Sequence, residues 1–241
     1  MPHDRYFLDA PLLLRHCYSL EENEWHHLVN VSRTKVGETV ELVNGQGQLA
    51  LAVVQELKKK SAELLIESVT CENSPKPPLI LALAMPRRNH LEWIIEKGTE
   101  LNVTSFWLFP GILSEKEQLS DSQRQRLHHL GVAAMKQCGR LDLPSIESKP
   151  PLLQFPPLEG TLLFGDTSSE APYLWSLNLS RPPPLPIILF IGPERGFDPK
   201  EHTFLQQTLK AQGVRLHPNI LRAETAPLVG LSLIQTLLTS N

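Results

Sequence analysis

The chain has 241 residues, of which 41% are hydrophobic and 20% are charged, and its formal net charge at pH 7 is −3. This length suffices for one large or two modest domains with real hydrophobic cores. The near-balanced charge argues against a generic polyanion-binding protein, so an RNA ligand would need local basic patches. No apolar run approaches the length of a membrane span.

The three cysteines, Cys17, Cys71 and Cys138, lie far apart and are odd in number. This usage indicates reduced thiols and a cytoplasmic protein. The cysteines show no metal-ligand spacing, and the adjacent His26 and His27 do not make a metal site by themselves, so no metal is expected. The N-terminus lacks the apolar core of a signal peptide.

Residues 1–72 are predicted to form a small β-barrel. Strands are expected at Thr39–Val43, 49–54 and 62–69, where apolar residues alternate with polar ones. The Asn-Gly pair within the turn at residues 44–47 is a strong hairpin signal between the first two strands. The pattern is therefore one of short strands joined by turns.

A stiff, proline-rich linker at residues 73–78 is predicted to separate this barrel from a second domain at residues 79–241. In that domain Ser120 and Gln123 have the spacing of a capping box and start a predicted helix that ends at Gly139. Predicted strands alternate with helices and lie at residues 79–84, 105–109, 161–164, 187–191 and 214–216. Such alternation predicts an α/β domain with a mostly parallel sheet and ligands at the carboxyl ends of its strands.

The first of two polar loops near the C-terminus lies at residues 192–197 and comes after a β-branched strand. Its glycines, Gly192 and Gly196, permit positive φ and let a ligand approach bare backbone. A capping box at residues 198–201 then starts a helix, which Gly213 is expected to end. This segment is a predicted strand-to-helix turn.

The second polar loop, residues 221–226, opens an almost wholly apolar helix with Pro227 in its first turn. Arg222 and Glu224 form a charged pair there that packing explains poorly, because buried charges are costly unless they are paired. A structural salt bridge at the helix start is the alternative interpretation. Together the two loops predict a ligand site.

Several well-known nucleotide and hydrolase sites are disfavoured by the sequence. After the first strand of the α/β domain, residues 85–88 read Met-Pro-Arg-Arg, whereas a Rossmann-type methyltransferase or dehydrogenase has a glycine-rich loop at this point. The sequence also contains no Walker lysine loop, Gly-x-Ser-x-Gly elbow or His-Glu-x-x-His pair.

Five motifs carry a family resemblance through their order and spacing. They are Gly-Pro-Glu-Arg-Gly-Phe at 192–197, Leu-His-Pro-Asn-Ile-Leu-Arg-Ala-Glu-Thr-Ala at 216–226, residues 91–101, residues 137–140, and His26-His27-Leu28 with Arg33, Gly37, Gly45 and Gly47. Together they resemble the ribosomal RNA small-subunit methyltransferase E family of the SPOUT superfamily. Three departures from the family patterns stand out: Arg195 replaces a glycine, His217 and Asn219 replace a glycine and an arginine, and Arg87 replaces a lysine.

This resemblance implies a PUA-like, RNA-binding β-barrel that precedes a SPOUT-type α/β domain with a mostly parallel sheet and a trefoil knot. It also implies a homodimer in which each knotted domain pairs its apolar helices. The implied cofactor is S-adenosyl-L-methionine, and the implied reaction is methylation of N3 of a uridine in 16S ribosomal RNA. The partner is then small-subunit ribosomal RNA or the assembled small subunit.

The resemblance further implies a cofactor pocket built from strand ends and backbone groups, with Arg195 pointing away from it. The implied cofactor-binding residues are Phe164, Gly165, Ile191, Gly192, Glu194, Gly196, Leu216, Asn219, Ile220, Leu221, Thr225 and Ala226. The arginines expected to contact RNA are Arg5, Arg33, Arg87 and Arg140.

Methyl transfer to uracil N3 needs the proton on that nitrogen to be removed, and an enzyme assists by stabilising the anion or by supplying a base. Arg222 is expected to stabilise the anion or orient the substrate, with Glu224 holding it. Two alternatives remain: a non-catalytic RNA-binding or ribosome-assembly factor on the same scaffold, and methylation of another RNA position.

Overall fold

The computed structural model describes residues 4–73, 77–114, 118–179 and 185–239. They form two compact units, of which the first contains residues 4–73 with Val132–Leu143 and the second contains the rest. Residues 74–76 of the predicted linker lie outside the described ranges. No helix in the described part of the chain is long and apolar enough to cross a membrane.

The first unit is a five-stranded sheet around its own core. Its elements are β1 (Arg5–Phe7), β2 (Cys17–Glu21), α1 (Glu22–His26, continued by a π-helical turn at His27–Val31), β3 (Thr39–Val43), β4 (Gln48–Leu57) and β5 (Ser61–Cys71). The strand order is β1-β3-β4-β5-β2, with β1 parallel to β3 and the other pairs antiparallel. Alternate residues such as Leu42, Ala52 and Leu64 are buried, which confirms the three predicted strands. The short β1, β2 and α1 were not predicted.

The segment Val132–Leu143 packs with this first unit. Its Met135 and Leu141 are buried in a cluster with Val43, and the backbone N–H of Leu143 donates to the carbonyl of Gly45 at 2.8 Å. The compact first unit therefore includes a segment that lies inside the predicted second domain.

The second unit contains a six-stranded sheet. Its elements are β6 (Leu79–Ala84), α2 (Arg88–Glu100), β7 (Ser105–Phe109), the first part of α3 (Asp121–Cys138), β8 (Ser145–Ser148), β9 (Thr161–Gly165), β10 (Ile187–Ile191), α4 (Pro199–Thr203), β11 (Gln212–Val214) and α5 (Thr225–Thr239). The strand order is β11-β9-β10-β6-β7-β8, and every pair is parallel. This confirms the predicted parallel sheet, while the trefoil knot stays a prediction.

Apolar layers cover both faces of this sheet. On one face Leu81 and Leu189 pack with Ile94 of α2 and Leu231 of α5. On the other face the cluster is rich in phenylalanine and includes Phe109, Phe155, Phe164 and Phe190. All residues of β6 and β10 are buried, as expected for strands covered on both faces, which read as continuous apolar runs.

The chain between α4 and β11 differs from the prediction. The helix passes into a π-helical turn at Phe204–Thr208, and the turn out of it is made at Lys210, which has φ of 56°. Gly213 lies inside β11 rather than at a helix end, so that expectation was wrong. A Cβ at Gly213 would lie 2.9 Å from Phe164 Cζ and 2.7 Å from Asp166 Oδ2, so this glycine allows close packing within the sheet.

The predicted capping box at the start of α4 is confirmed. Asp198 Oδ1 accepts from the backbone N–H of Lys200 at 2.8 Å, and Glu201 Oε2 accepts from that of Asp198 at 3.0 Å. Glu201 is buried, and its Oε1 also accepts from the backbone N–H of Ile112 at 3.0 Å. One carboxylate thus joins the helix start to the loop after β7.

We expect Asp198→Ala to lower the free energy of unfolding by about 1 kcal/mol, because it removes an N-cap acceptor. Urea denaturation of the variant and the wild type measures this difference. The control Lys200→Ala changes an exposed side chain in the same turn and should stay within about 0.5 kcal/mol of wild type. Equal stability of Asp198→Ala and wild type would contradict the role of the cap.

Candidate functional site

Four loops meet at one edge of the parallel sheet, because β11, β9, β10 and β6 are neighbours and run in the same direction. The carboxyl ends of such strands lie side by side, which is where open α/β sheets bind ligands. The loops line a cavity of about 400 Å³, a size typical of small-molecule sites.

Ten of the twelve residues predicted to bind the cofactor line this cavity. They are Gly165, Ile191, Gly192, Glu194, Gly196, Leu216, Asn219, Ile220, Leu221 and Ala226. The other two do not. Phe164 is fully buried in the core, where its ring packs edge-on against Phe197 of the cavity wall at 6.2 Å between centroids. Thr225 begins α5, and its backbone N–H donates to the carbonyl of Arg222.

The loop after β10 is a tight turn. The backbone N–H of Gly196 donates to the carbonyl of Pro193 at 2.8 Å, and Gly196 has φ of 75°. Gly192 has no positive φ. A glycine is needed there because the backbone of the turn passes close to it: a Cβ would lie 3.0 Å from the carbonyl carbon of Gly196 and 3.1 Å from the nitrogen of Phe197. Arg195 is exposed, with no positive φ, and does not line the cavity, as expected from the sequence.

The loop before α5 forms another part of the cavity wall. His217 Nδ1 accepts from the backbone N–H of Asn219 at 3.1 Å, so two residues that depart from the family pattern stabilise a local turn. The next residue, Ile220, is 83% exposed and lines the cavity. An apolar side chain so open to solvent at a cavity is suited to covering a flat ring.

A histidine joins three of the loops. His90, in the first turn of α2, places its ring Nδ1 3.1 Å from Glu194 Oε1 and 3.5 Å from Glu224 Oε2. Glu194 Oε1 also accepts from the backbone N–H of Arg87 at 3.3 Å. The loops after β6 and β10 and the loop before α5 are thereby tied together through the two carboxylates.

The expected pairing of Arg222 with Glu224 is corrected by this arrangement. Glu224 faces His90, and among the described residues the Arg222 guanidinium makes no ion pair. Arg222 is exposed and lines the cavity, which leaves its charge available to a ligand.

The environment of Glu194 keeps it ionised. Burial raises the pKa of its carboxyl, but hydrogen bonds from its own backbone N–H, from that of Arg87 and from the His90 ring outweigh burial. The pKa therefore lies below the ordinary value of 4.5. The Glu194 contacts with His90 and Arg87 are thus charge-assisted throughout the neutral pH range.

A depressed carboxyl pKa predicts a pH-dependent contribution to stability. The contribution of Glu194 should be fully present above pH 4.5, its ordinary value, and should be lost as the pH falls through the lower pKa of the folded state. We expect the thermal midpoint of wild type to exceed that of Glu194→Gln above this range and to converge with it in acid. Midpoints measured from about pH 3 to about pH 7 check this, and a gap that widens in acid would contradict it.

The cavity also contains residues that were not predicted as site residues. Asp166 and Thr167 come directly after β9, Arg215 comes after β11 and His90 lies soon after β6. All are polar residues that follow the carboxyl end of a strand of the parallel sheet, and this position was the available signal. The Asp166 carboxylate accepts from the backbone N–H of Ser168 at 2.9 Å.

The four arginines predicted to contact RNA differ in exposure. Arg33 is exposed in the first unit, and Arg87 is exposed at the cavity. Arg5 instead pairs with Glu41 at 2.5 Å, with its side chain 12% exposed, and Arg140 pairs with Asp142 at 2.5 Å, with its side chain 7% exposed. The predicted RNA-facing position of Arg5 and Arg140 is therefore corrected, because both are largely buried in ion pairs.

Comparisons with known proteins agree with this geometry. Residues 72–235 match the RNA methyltransferase domain family, and residues 20–67 match the RNA methyltransferase PUA domain. A ribosomal RNA small subunit methyltransferase E from Synechocystis is 32% identical over 228 residues, which cover 92% of this chain and 74% of that protein. This chain belongs to the ribosomal RNA small subunit methyltransferase E family.

Further members of the ribosomal RNA small subunit methyltransferase E family are similar over nearly the whole chain. The Bacillus subtilis protein is 29% identical over 230 residues, covering 90% of this chain and 89% of that protein. The structure of the Neisseria gonorrhoeae protein, bound to S-adenosyl methionine, matches with a TM-score of 0.84 and 27% identity, covering 99% of this chain and 98% of that chain. The predicted PUA-like and SPOUT-type architecture is thus confirmed.

Proposed function

We propose that this chain transfers a methyl group from S-adenosyl-L-methionine to N3 of a uridine in 16S ribosomal RNA. The observation that carries the proposal is the cavity at the carboxyl ends of β9, β10 and β11. It lies in a chain of the ribosomal RNA small subunit methyltransferase E family, one member of which has been solved with this cofactor bound.

The chemistry of the cavity fits the proposed cofactor. Ile191, Leu216 and Ile220 supply apolar surface for a purine ring, and the bare backbone at Gly192 lets a ligand approach closely. The carboxylates of Asp166, Glu194 and Glu224 also line the cavity. Negative charge there complements the sulfonium and ammonium groups of the cofactor. When bound, S-adenosylmethionine supplies an electrophilic methyl group whose sulfur leaves as a neutral thioether.

Arg222 is the proposed electrostatic residue of the reaction. A uracil that loses its N3 proton becomes an anion, and a guanidinium at the cavity that makes no ion pair with the described residues stabilises that charge. Arg87 lines the same cavity and is proposed to contact the RNA backbone. A base stacked within folded RNA must also turn out to reach the cavity, which such contacts assist.

The remaining parts of the proposal concern partners and location. The first unit, with exposed Arg33, is proposed to bind small-subunit ribosomal RNA as a PUA-like domain. The second unit is proposed to form a homodimer through the half-buried leucines of α5, such as Leu233 and Leu237. Because the proposed substrate is ribosomal RNA, the proposed location is the cytoplasm.

The alternative, a non-catalytic assembly factor, requires that Arg195, His217 and Asn219 prevent cofactor binding in the pocket. Arg195 does not line the cavity, and His217 and Asn219 bond to each other in its wall. The cavity remains open to about 400 Å³. The geometry therefore favours the enzyme.

Two experiments test the proposed function. Mass spectrometry of 16S ribosomal RNA from a strain lacking this chain should show the loss of one N3-methyluridine, which the restored wild-type gene returns. Purified protein should also methylate that RNA, or small subunits isolated from the deletion strain, in the presence of S-adenosylmethionine. An unchanged modification profile in the deletion strain would overturn the proposal, and a lost methyl group at another base atom would favour the alternative RNA position.

A further inference from the structure

The hydrogen bonds of His90 fix which of its ring nitrogens carries a proton. Ionised carboxylates only accept hydrogen bonds. Nδ1 lies 3.1 Å from Glu194 Oε1 and 3.5 Å from Glu224 Oε2, so Nδ1 is the donor. In the neutral ring Nε2 is then an acceptor. Within the described ranges no residue forms a hydrogen bond to Nε2.

The position of His90 puts its ring at the ligand site. The His90 side chain is 30% exposed and lines the cavity, as do Glu194 and Glu224. Proteins orient an imidazole general base with a carboxylate that binds one ring nitrogen, while the second ring nitrogen faces the reactants. The two acidic residues come from separate loops, and both carboxylates face the same ring nitrogen, Nδ1.

We propose that His90, oriented by Glu194, is the general base that accepts the N3 proton of the target uracil. This inference rests on the proposed function. The N3–H bond breaks, its proton passes to Nε2 of His90, and its electron pair stays on N3, where it attacks the methyl carbon. The resulting imidazolium is stabilised by Glu194 and Glu224 and returns its proton to water after turnover.

The other titratable groups at the cavity are less suited to this role. His217 Nδ1 already accepts from the backbone N–H of Asn219, so the neutral ring carries its proton on Nε2 and is a donor there. Asp166 is only 10% exposed and lies 3.4 Å from His202 Nε2. The other cavity cations, Arg87, Arg215 and Arg222, cannot accept a proton. Of these, Arg222 is the residue proposed above to stabilise the uracil anion that His90 generates.

The test compares wild type with His90→Gln, which preserves side-chain polarity but removes the base. Single-turnover methylation should fall about 100-fold near neutral pH, while calorimetry should show S-adenosylmethionine affinity within about threefold of wild type. The wild-type rate should reach a plateau as the pH rises, as expected for a reaction that uses a general base. The variant rate should keep rising, because hydroxide must then remove the N3 proton. The pH profile of the methylation rate in Glu194→Gln should be shifted relative to that of wild type, as expected for a positioning residue.

A second variant keeps the test independent of the shape of the profile. His90→Ala leaves a gap beside Glu194, and added imidazole should raise its rate, whereas it should not affect the control His129→Gln, an exposed histidine on α3. An unchanged rate and pH profile in His90→Gln, no rescue of His90→Ala, or a loss explained by weaker cofactor binding would each overturn the inference. Absence of N3 methylation by wild type would instead count against the proposed function.

Discussion

Arg222→Ala is expected to lower the methylation rate about 10²- to 10³-fold while leaving the affinity for S-adenosylmethionine within about threefold of wild type. Arg222 lines the cavity, and its guanidinium has no ion-pair partner in the described part of the chain. The guanidinium charge is therefore available to interact with a ligand. A positive group that acts on the developing anion has a large effect on the rate of methyl transfer. It has a smaller effect on the affinity for the cofactor, which carries positive charges of its own.

Two measurements separate this role of Arg222 from alternatives. Single-turnover kinetics report the chemical step, and calorimetry reports cofactor binding. Arg195→Ala is the matched control, because Arg195 is exposed and lies outside the cavity, and it should leave both quantities at wild-type values. Loss of cofactor binding in Arg222→Ala with unchanged RNA affinity would show that the residue serves the cofactor instead.

Gly192→Ala is expected to weaken S-adenosylmethionine binding about 10- to 100-fold. The added Cβ would lie 3.0 Å from the carbonyl carbon of Gly196 and 3.1 Å from the nitrogen of Phe197. Both neighbours are backbone atoms, so the strain cannot be relieved by turning a side chain. The turn must open, and this moves Glu194 and Gly196 of the cavity wall.

The measurement for Gly192→Ala is calorimetric titration, with circular dichroism to verify that the variant is folded. Arg195→Gly changes the same turn at an exposed position and places a glycine where the family pattern has one. It should bind the cofactor as wild type does. Equal affinity of Gly192→Ala and wild type would mean that the turn does not shape the binding site.

Local sequence patterns were sufficient for the parts of the site that depend on neighbouring residues. The strand β10 is a continuous apolar run because both faces of the sheet are covered, and the capping box at Asp198 can be predicted from spacing alone. Since parallel strands end at one edge, the two late loops were expected to form a site together. Predicting these features requires only the periodicity of apolar residues and the residue preferences of turns.

Interactions between distant positions could not be predicted in this way. His90 and Glu194 are 104 positions apart, and no local pattern indicates that they meet. The same holds for Arg5, whose partner Glu41 lies 36 positions away and withdraws it from the surface. The predicted pairing of Arg222 with Glu224 was wrong for a similar reason, because Glu224 faces His90, which is distant from it in the sequence.

Calorimetric titration of the full-length protein with S-adenosylmethionine tests the central claim most directly, namely that the loops after β9, β10 and β11 form one cofactor site. We expect saturable binding of about one cofactor per chain, weakened in Gly192→Ala and unchanged in Arg195→Gly. Absence of binding by folded wild-type protein, or binding that Gly192→Ala leaves unaltered, would contradict this claim.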